Sequence, residues 1–207
     1  MRSLRWAIPV MIASAAVATA TAAQDPAAGG RGGRGAGGPP AAPAAPAMTL
    51  TSTAFPDGGV IPPKYTQAGD QTSPALTWTN APANTVSLVL HMHDLEAARN
   101  RTTDDQLHWL VWNIPATATG LPEGVPQGAD RPDGSHQISA SGAMYRGPGA
   151  AAAGPMHHYT FEIFALDTKV DVPSGGDPFD TRMNVMKAMQ GHVVGKAVYM
   201  GLFHRPQ

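Results

Sequence analysis

The sequence predicts a mainly β fold over residues 48–207, with one helix near the C-terminus. Three observations predict it. Apolar residues after Met48 recur with period two in short runs, the alternation of a strand with one buried face. Pro, Gly, Asn and Asp bound those runs, as at Pro56-Asp57-Gly58-Gly59, Asn80-Ala81-Pro82 and Asp133-Gly134. No strand-helix-strand alternation occurs, which excludes a parallel sheet with crossover helices.

In chain order, residues 1–23 come first, with a short basic start (Arg2, Arg5), an apolar stretch from Trp6 to Val17 and a small-residue end, ATATAA. That is the three-part form of a secretory signal peptide, with cleavage expected after Ala22 or Ala23 and a periplasmic or secreted destination. The apolar stretch is short for a bilayer span, so no membrane-spanning segment is expected after cleavage. An uncleaved anchor is the competing reading. Residues 24–47 follow as a linker: 22 of its 24 positions are Gly, Ala, Pro or Arg, with almost nothing to bury. The remaining 160 residues suffice for one domain with a sizeable core.

Within that domain the candidate strands are Thr49–Ala54, Ala75–Asn80, Thr85–Asp94, His108–Ile114, His157–Leu166 and Lys196–His204. One helix is expected over about Thr181–Gln190. Asp180 is its expected cap, Met183, Met186 and Met189 its buried face, and Gly191 its stop. Ala150–Ala153 stands among glycines and prolines and reads as loop despite alanine's helix propensity.

Charge and composition narrow the function. Residues 48–207 carry ten Lys and Arg against fourteen Asp and Glu, with no basic stripe, so nucleic acid is not an expected partner. Zero cysteines exclude a disulfide scaffold, a thiol nucleophile and a thiolate metal site.

Polar residues cap the apolar strand faces. Val86, Leu88, Leu90 and Met92 share one face, and Asp94 continues it at the strand end. His108, Leu110, Trp112 and Ile114 share parity in the next run. If the two strands pair as antiparallel neighbours, Asp94 comes to lie beside His108. His157 and Tyr159 open a third face completed by Phe161, Ile163 and Ala165. The loop Tyr145-Arg146-Gly147-Pro148-Gly149 offers backbone N–H groups to an anion. Two imidazoles, a phenol and free N–H groups are donors suited to phosphate or carboxylate. If His108 and His157 must be protonated to hold it, binding strengthens as pH falls through about 6.5.

At these residues the sequence resembles the phosphatidylethanolamine-binding protein family, most closely its bacterial Raf kinase inhibitor-like branch. The resemblance is carried by Ser73-Pro74-Ala75-Leu76-Thr77-Trp78, Asp94-Leu95-Glu96-Ala97-Ala98, His108-Trp109 with Asn113-Ile114-Pro115, and Leu121-Pro122-Glu123-Gly124. Further matches are Tyr145-Arg146-Gly147-Pro148, His157-His158-Tyr159-Thr160-Phe161, Ala165-Leu166-Asp167 and Gly191-His192. It implies a compact antiparallel β-sandwich-like fold with peripheral helices, one near the C-terminus, and a small anion pocket for phosphate-like head groups that uses Asp94, His108, Gly147, His157 and Tyr159. The chain departs from the family pattern at Leu95, Glu96 and Ala98, and at Gly149.

The expected function is an exported binding protein for a small anionic ligand, a phosphate-like or carboxylate head group, working without a cofactor. The alternative is an inhibitor or interaction protein acting on an exported kinase or protease. An enzyme, with Asp94 orienting His108 as base, lacks a nucleophile motif, so no catalytic residue is assigned. A copper reading rests on His91-Met92-His93 and Met156-His157-His158. His-x-His on an exposed face is usually solvated, and no metal ligand is assigned.

Overall fold

The structure, a computed structural model, describes residues 46–207. The expected signal segment, and the linker up to residue 45, lie outside the described residues. Among the described residues the strands are β1 (Thr49–Thr51), β2 (Gly59–Val60), β3 (Leu76–Thr79), β4 (Ser87–Asp94), β5 (Gln106–Pro115), β6 (Gly120–Leu121), β7 (His136–Ile138), β8 (His157–Leu166) and β9 (Val193–Phe203), with α1 at Pro178–Ala188. β1, β3 and β6 form a three-stranded sheet, and β2-β9-β8-β4-β5-β7 a six-stranded one. The pairings are antiparallel except that of β2 with β9, which is parallel. The expected β class therefore holds.

The principal core fills the space between the sheets. Leu50, Leu76, Trp78 and Leu121 of the small sheet meet Leu88, Leu90, Met92, Phe161 and Ile163 of the large one. A second cluster lies on the other face of the large sheet, where Val89, Leu107, Leu110, Trp112 and Leu166 pack with Val185 and Met189. The large sheet is thus buried on both sides, which is why β4 and β5 are buried at nearly every position. Among the described residues no helix is long and apolar enough to cross a membrane.

Several expectations are corrected. The first strand stops at Thr51, because the Ser52 hydroxyl donates to the Ala75 carbonyl and accepts the Ala54 N–H, turning the chain. Val86 lies outside β4 and is 45% exposed. β2, β6 and β7 are two or three residues long, too short to show a period.

β5 departs furthest from its expected parity. Its register against β4 slips twice: Met92 and His93 face Trp109 and Leu107, while Leu88 and Leu90 face Ile114 and Val111. Each slip inserts an extra β5 residue. Trp109, Val111 and Ile114 therefore enter the principal core, whereas Leu110 and Trp112 join the second cluster, not the inner face. Asn113 takes the second bulge at φ 58, and its amide bridges to Val170 by donating to the carbonyl and accepting the N–H.

The helix also differs from its expected form. Its cap is Asp177, whose carboxylate accepts the N–H groups of Phe179 and Asp180, with Pro178 at the first helical position. Asp180 stands in the first turn. The buried stripe is Thr181, Val185 and Met189, while Met183 is 60% exposed. Spacing of four, not three, faces the sheet here.

Candidate functional site

β8, β4 and β5 lie side by side, so the end of β4 meets the start of β8 and the start of β5 at one edge of the sandwich. Asp94, the last residue of β4, is in register with Tyr159 on one side and Gln106 on the other. Its carboxylate is buried. It accepts from His157 Nδ1 at 2.9 and 3.0 Å and from the Glu96 N–H at 3.1 Å. The partner of Asp94 is therefore His157. His108 reaches the same mouth, as the antiparallel pairing of β4 and β5 leads one to expect, but its Nδ1 bonds the Arg146 carbonyl and not Asp94.

His108 is the extra residue of the first β5 bulge. The slip aims it toward the inner side, next to Trp109, where its ring meets Tyr159 edge-on at 5.0 Å. Nδ1 donates to the Arg146 carbonyl at 2.8 Å, which leaves Nε2 as the nitrogen that carries the lone pair. Burial pushes its pKa down to about 4, against the opposing pull of that carbonyl and of Asp94. At neutral pH His108 is uncharged. The expectation that both histidines charge together near 6.5 is corrected: desolvation removes His108 from that range.

The Tyr159 phenol oxygen accepts the N–H groups of Gly149 and Ala150 at 3.1 and 3.0 Å. Burial first, then the charge of Asp94, pushes its pKa up to about 12 against those two N–H groups, so it stays a neutral donor. The same contacts bear on the N–H groups that the loop is expected to offer. Those of Gly149 and Ala150 are already taken.

Asp94, His108, His157 and Tyr159 line one cavity of about 210 Å³, with Gln67, Gln106, Arg146, Gly149 and Ala150 among the other walls. Gly147 is not in the wall. A Cβ there would lie 2.7 Å from the Tyr65 carbonyl oxygen and 2.9 Å from the Thr66 backbone, so glycine lets the loop pack on that segment. Its role is steric. Gln67, Gln106 and Arg146 went unassigned in the sequence reading. Gln106 shares parity with His108 and Arg146 sits in the quoted loop, whereas Gln67 carries no sequence signal at all.

The rim is pinned by Glu96, whose carboxylate accepts the His158 backbone N–H and faces His158 Nδ1. Although partial burial alone would raise it, these contacts hold the Glu96 pKa below the usual range. Asp94, Glu96 and His157 also present ligand atoms within 4.8 Å of one another, a spacing that a metal ion can use.

Fold and cavity together define a β-sandwich binding protein. The chain belongs to the phosphatidylethanolamine-binding protein family, which residues 51–204 match. It is 41% identical over 160 residues to a UPF0098 protein of Methanothermobacter thermautotrophicus, covering 76% of this chain and 99% of that one. It is 34% identical to a UPF0098 protein of Chlamydia pneumoniae, with the same coverage. Among solved structures it superposes on a phosphatidylethanolamine-binding protein homolog from Chlamydia trachomatis with a TM-score of 0.65 and 29% identity, over 77% of this chain and 98% of that one. Escherichia coli YbcL matches at 0.63 and 27%, over 76% and 98%.

Proposed function

We propose that the protein is exported and holds a small anionic head group, a phosphate monoester or a carboxylate, in the cavity at the end of β4, β5 and β8. One observation carries the reading: the polar side chains of Asp94, His108, His157 and Tyr159 reach a single small cavity from three strands, with Arg146 on its wall. Arg146 supplies a permanent positive charge, and Tyr159 a proton donor. The volume suits a head group and not an acyl chain, since drug-sized pockets begin near 300 Å³.

The acceptors refine the ligand. The Asp94 carboxylate and the lone pair of neutral His108 ask for hydrogen-bond donors, so the best ligand carries an ammonium or a protonated oxygen beside its anionic group. Phosphorylethanolamine meets both demands, and the phosphatidylethanolamine of the family's name carries the same pair of groups. No nucleophile joins these residues, and we read the site as binding without turnover. Export rests on the residues of positions 1–23.

Calorimetric titration of the protein with phosphorylethanolamine and inorganic phosphate tests the reading. Saturable binding to wild type is expected, tighter for phosphorylethanolamine, and at least tenfold weaker in His157→Ala. Absence of binding to wild type overturns it.

A further inference from the structure

A second polar cluster lies on the opposite face of the large sheet from the cavity. His91 and His93 leave β4 on that face with their rings stacked, centroids 4.3 Å and planes 17° apart. Directly across from His91 in the register is Glu162 of β8. Its Oε1 is held by Lys196 at 2.5 Å, while Oε2 has only long approaches, 3.5 Å to His91 Nδ1 and 3.4 Å to His93 Nε2. The other nitrogen of His93, Nδ1, donates to Asp105, and Arg182 of α1 holds that carboxylate in turn.

These contacts leave specific atoms unused. His91 Nε2 and His93 Nε2 are both buried and have no hydrogen-bond partner, in a residue only 7% exposed in the case of His91. Buried polar atoms without partners are rare because desolvating them is not repaid, so a cluster of them marks a place where something is missing. The Asp105 contact fixes the His93 ring through Nδ1 and directs Nε2 toward Glu162, the arrangement by which carboxylates orient metal-binding histidines.

We propose that His91, His93 and Glu162 bind one divalent transition-metal ion of the zinc, nickel or copper(II) class. One ligand atom from each lies within 4.8 Å of the other two. Bonds of about 2.0–2.2 Å require a modest contraction and a fanning apart of the stacked rings. Two imidazoles and a carboxylate suit these borderline ions. Calcium and magnesium want an all-oxygen set, and copper(I) wants sulfur. Met92 supplies none, since it points into the principal core. Three protein ligands leave a coordination position open. Lys196 and Glu162, with side chains 45% and 17% exposed, mark the way in from solvent. Asp105 is a positioning residue.

The test is titration of untagged, metal-stripped full-length protein with Zn²⁺ and Cu²⁺, read by calorimetry and, for Cu²⁺, by electron paramagnetic resonance. One equivalent per chain is expected, with copper coupled to two nitrogens. Affinity should fall at least tenfold in His91→Ala and in Glu162→Gln, and about 10–100-fold in Asp105→Asn. His157→Ala should leave it unchanged. The proposal is overturned if wild type takes up no stoichiometric metal. Uptake that survives His91→Ala but is lost in His157→Ala also overturns it, assigning the ion to Asp94, Glu96 and His157. Should His91→Ala fail to fold, Glu162→Gln and Asp105→Asn decide, because neither side chain belongs to the Asp94, Glu96 and His157 group, and uptake unchanged in both overturns the proposal.

Discussion

His108 is held neutral by its burial, and the consequence reaches stability. The folded protein protonates it only near pH 4, whereas the unfolded chain does so near 6.5. Between those values the unfolded state binds more protons, so stability rises with pH there and is lost on acidification. The loss over that window is on the order of 3 kcal/mol for a fully buried group. Denaturant unfolding of wild type and His108→Gln at pH 7 and pH 4 checks this. The difference between the two proteins should shrink by that amount on acidification, and equal pH dependence in both would sink the idea. Asp94, His157 and Tyr159 were legible from parity alone because β4 and β8 pair without a slip at that end. His108 was found for a reason that its strand does not obey.

In β5 the period-two reading fails for a physical reason, since each bulge reverses the parity of everything beyond it. Asn113 stabilises the second bulge with a left-handed backbone and two hydrogen bonds to Val170. Asn113→Ala loses both, and Asn113→Gly loses only the hydrogen bonds. Thermal unfolding should therefore place Ala below Gly, by about 1 kcal/mol for the backbone strain, and the reverse order would show that the bulge does not depend on that backbone. The helix offers a parallel test. Asp177→Ala should cost about 1 kcal/mol by loss of the cap, and Asp180→Ala only a few tenths. Equal costs would mean that the cap lies where the spacing of apolar residues first suggested. That spacing misled because Pro178 starts the helix three residues early, rotating the buried stripe onto Thr181, Val185 and Met189.

For the whole molecule, the N-terminal segment makes a prediction independent of the cavity. Protein recovered from the exported fraction should begin at Ala23 or Gln24, and intact-mass measurement showing Met1 retained there would favour an anchor. The sequence by itself determined the β class, the family, the strand His157–Leu166, the strand ending at Asp94 and three members of the candidate site, because local alternation and short ordered motifs need no partner to be read. Only the tertiary structure decided that Asp94 pairs with His157, that His108 is neutral, that Gly147 packs on Tyr65 and Thr66, and that Glu162 stands across from His91. Each of these depends on which strand lies beside which and in what register. That is a property of distant segments meeting, with no trace in the order of residues along any one of them.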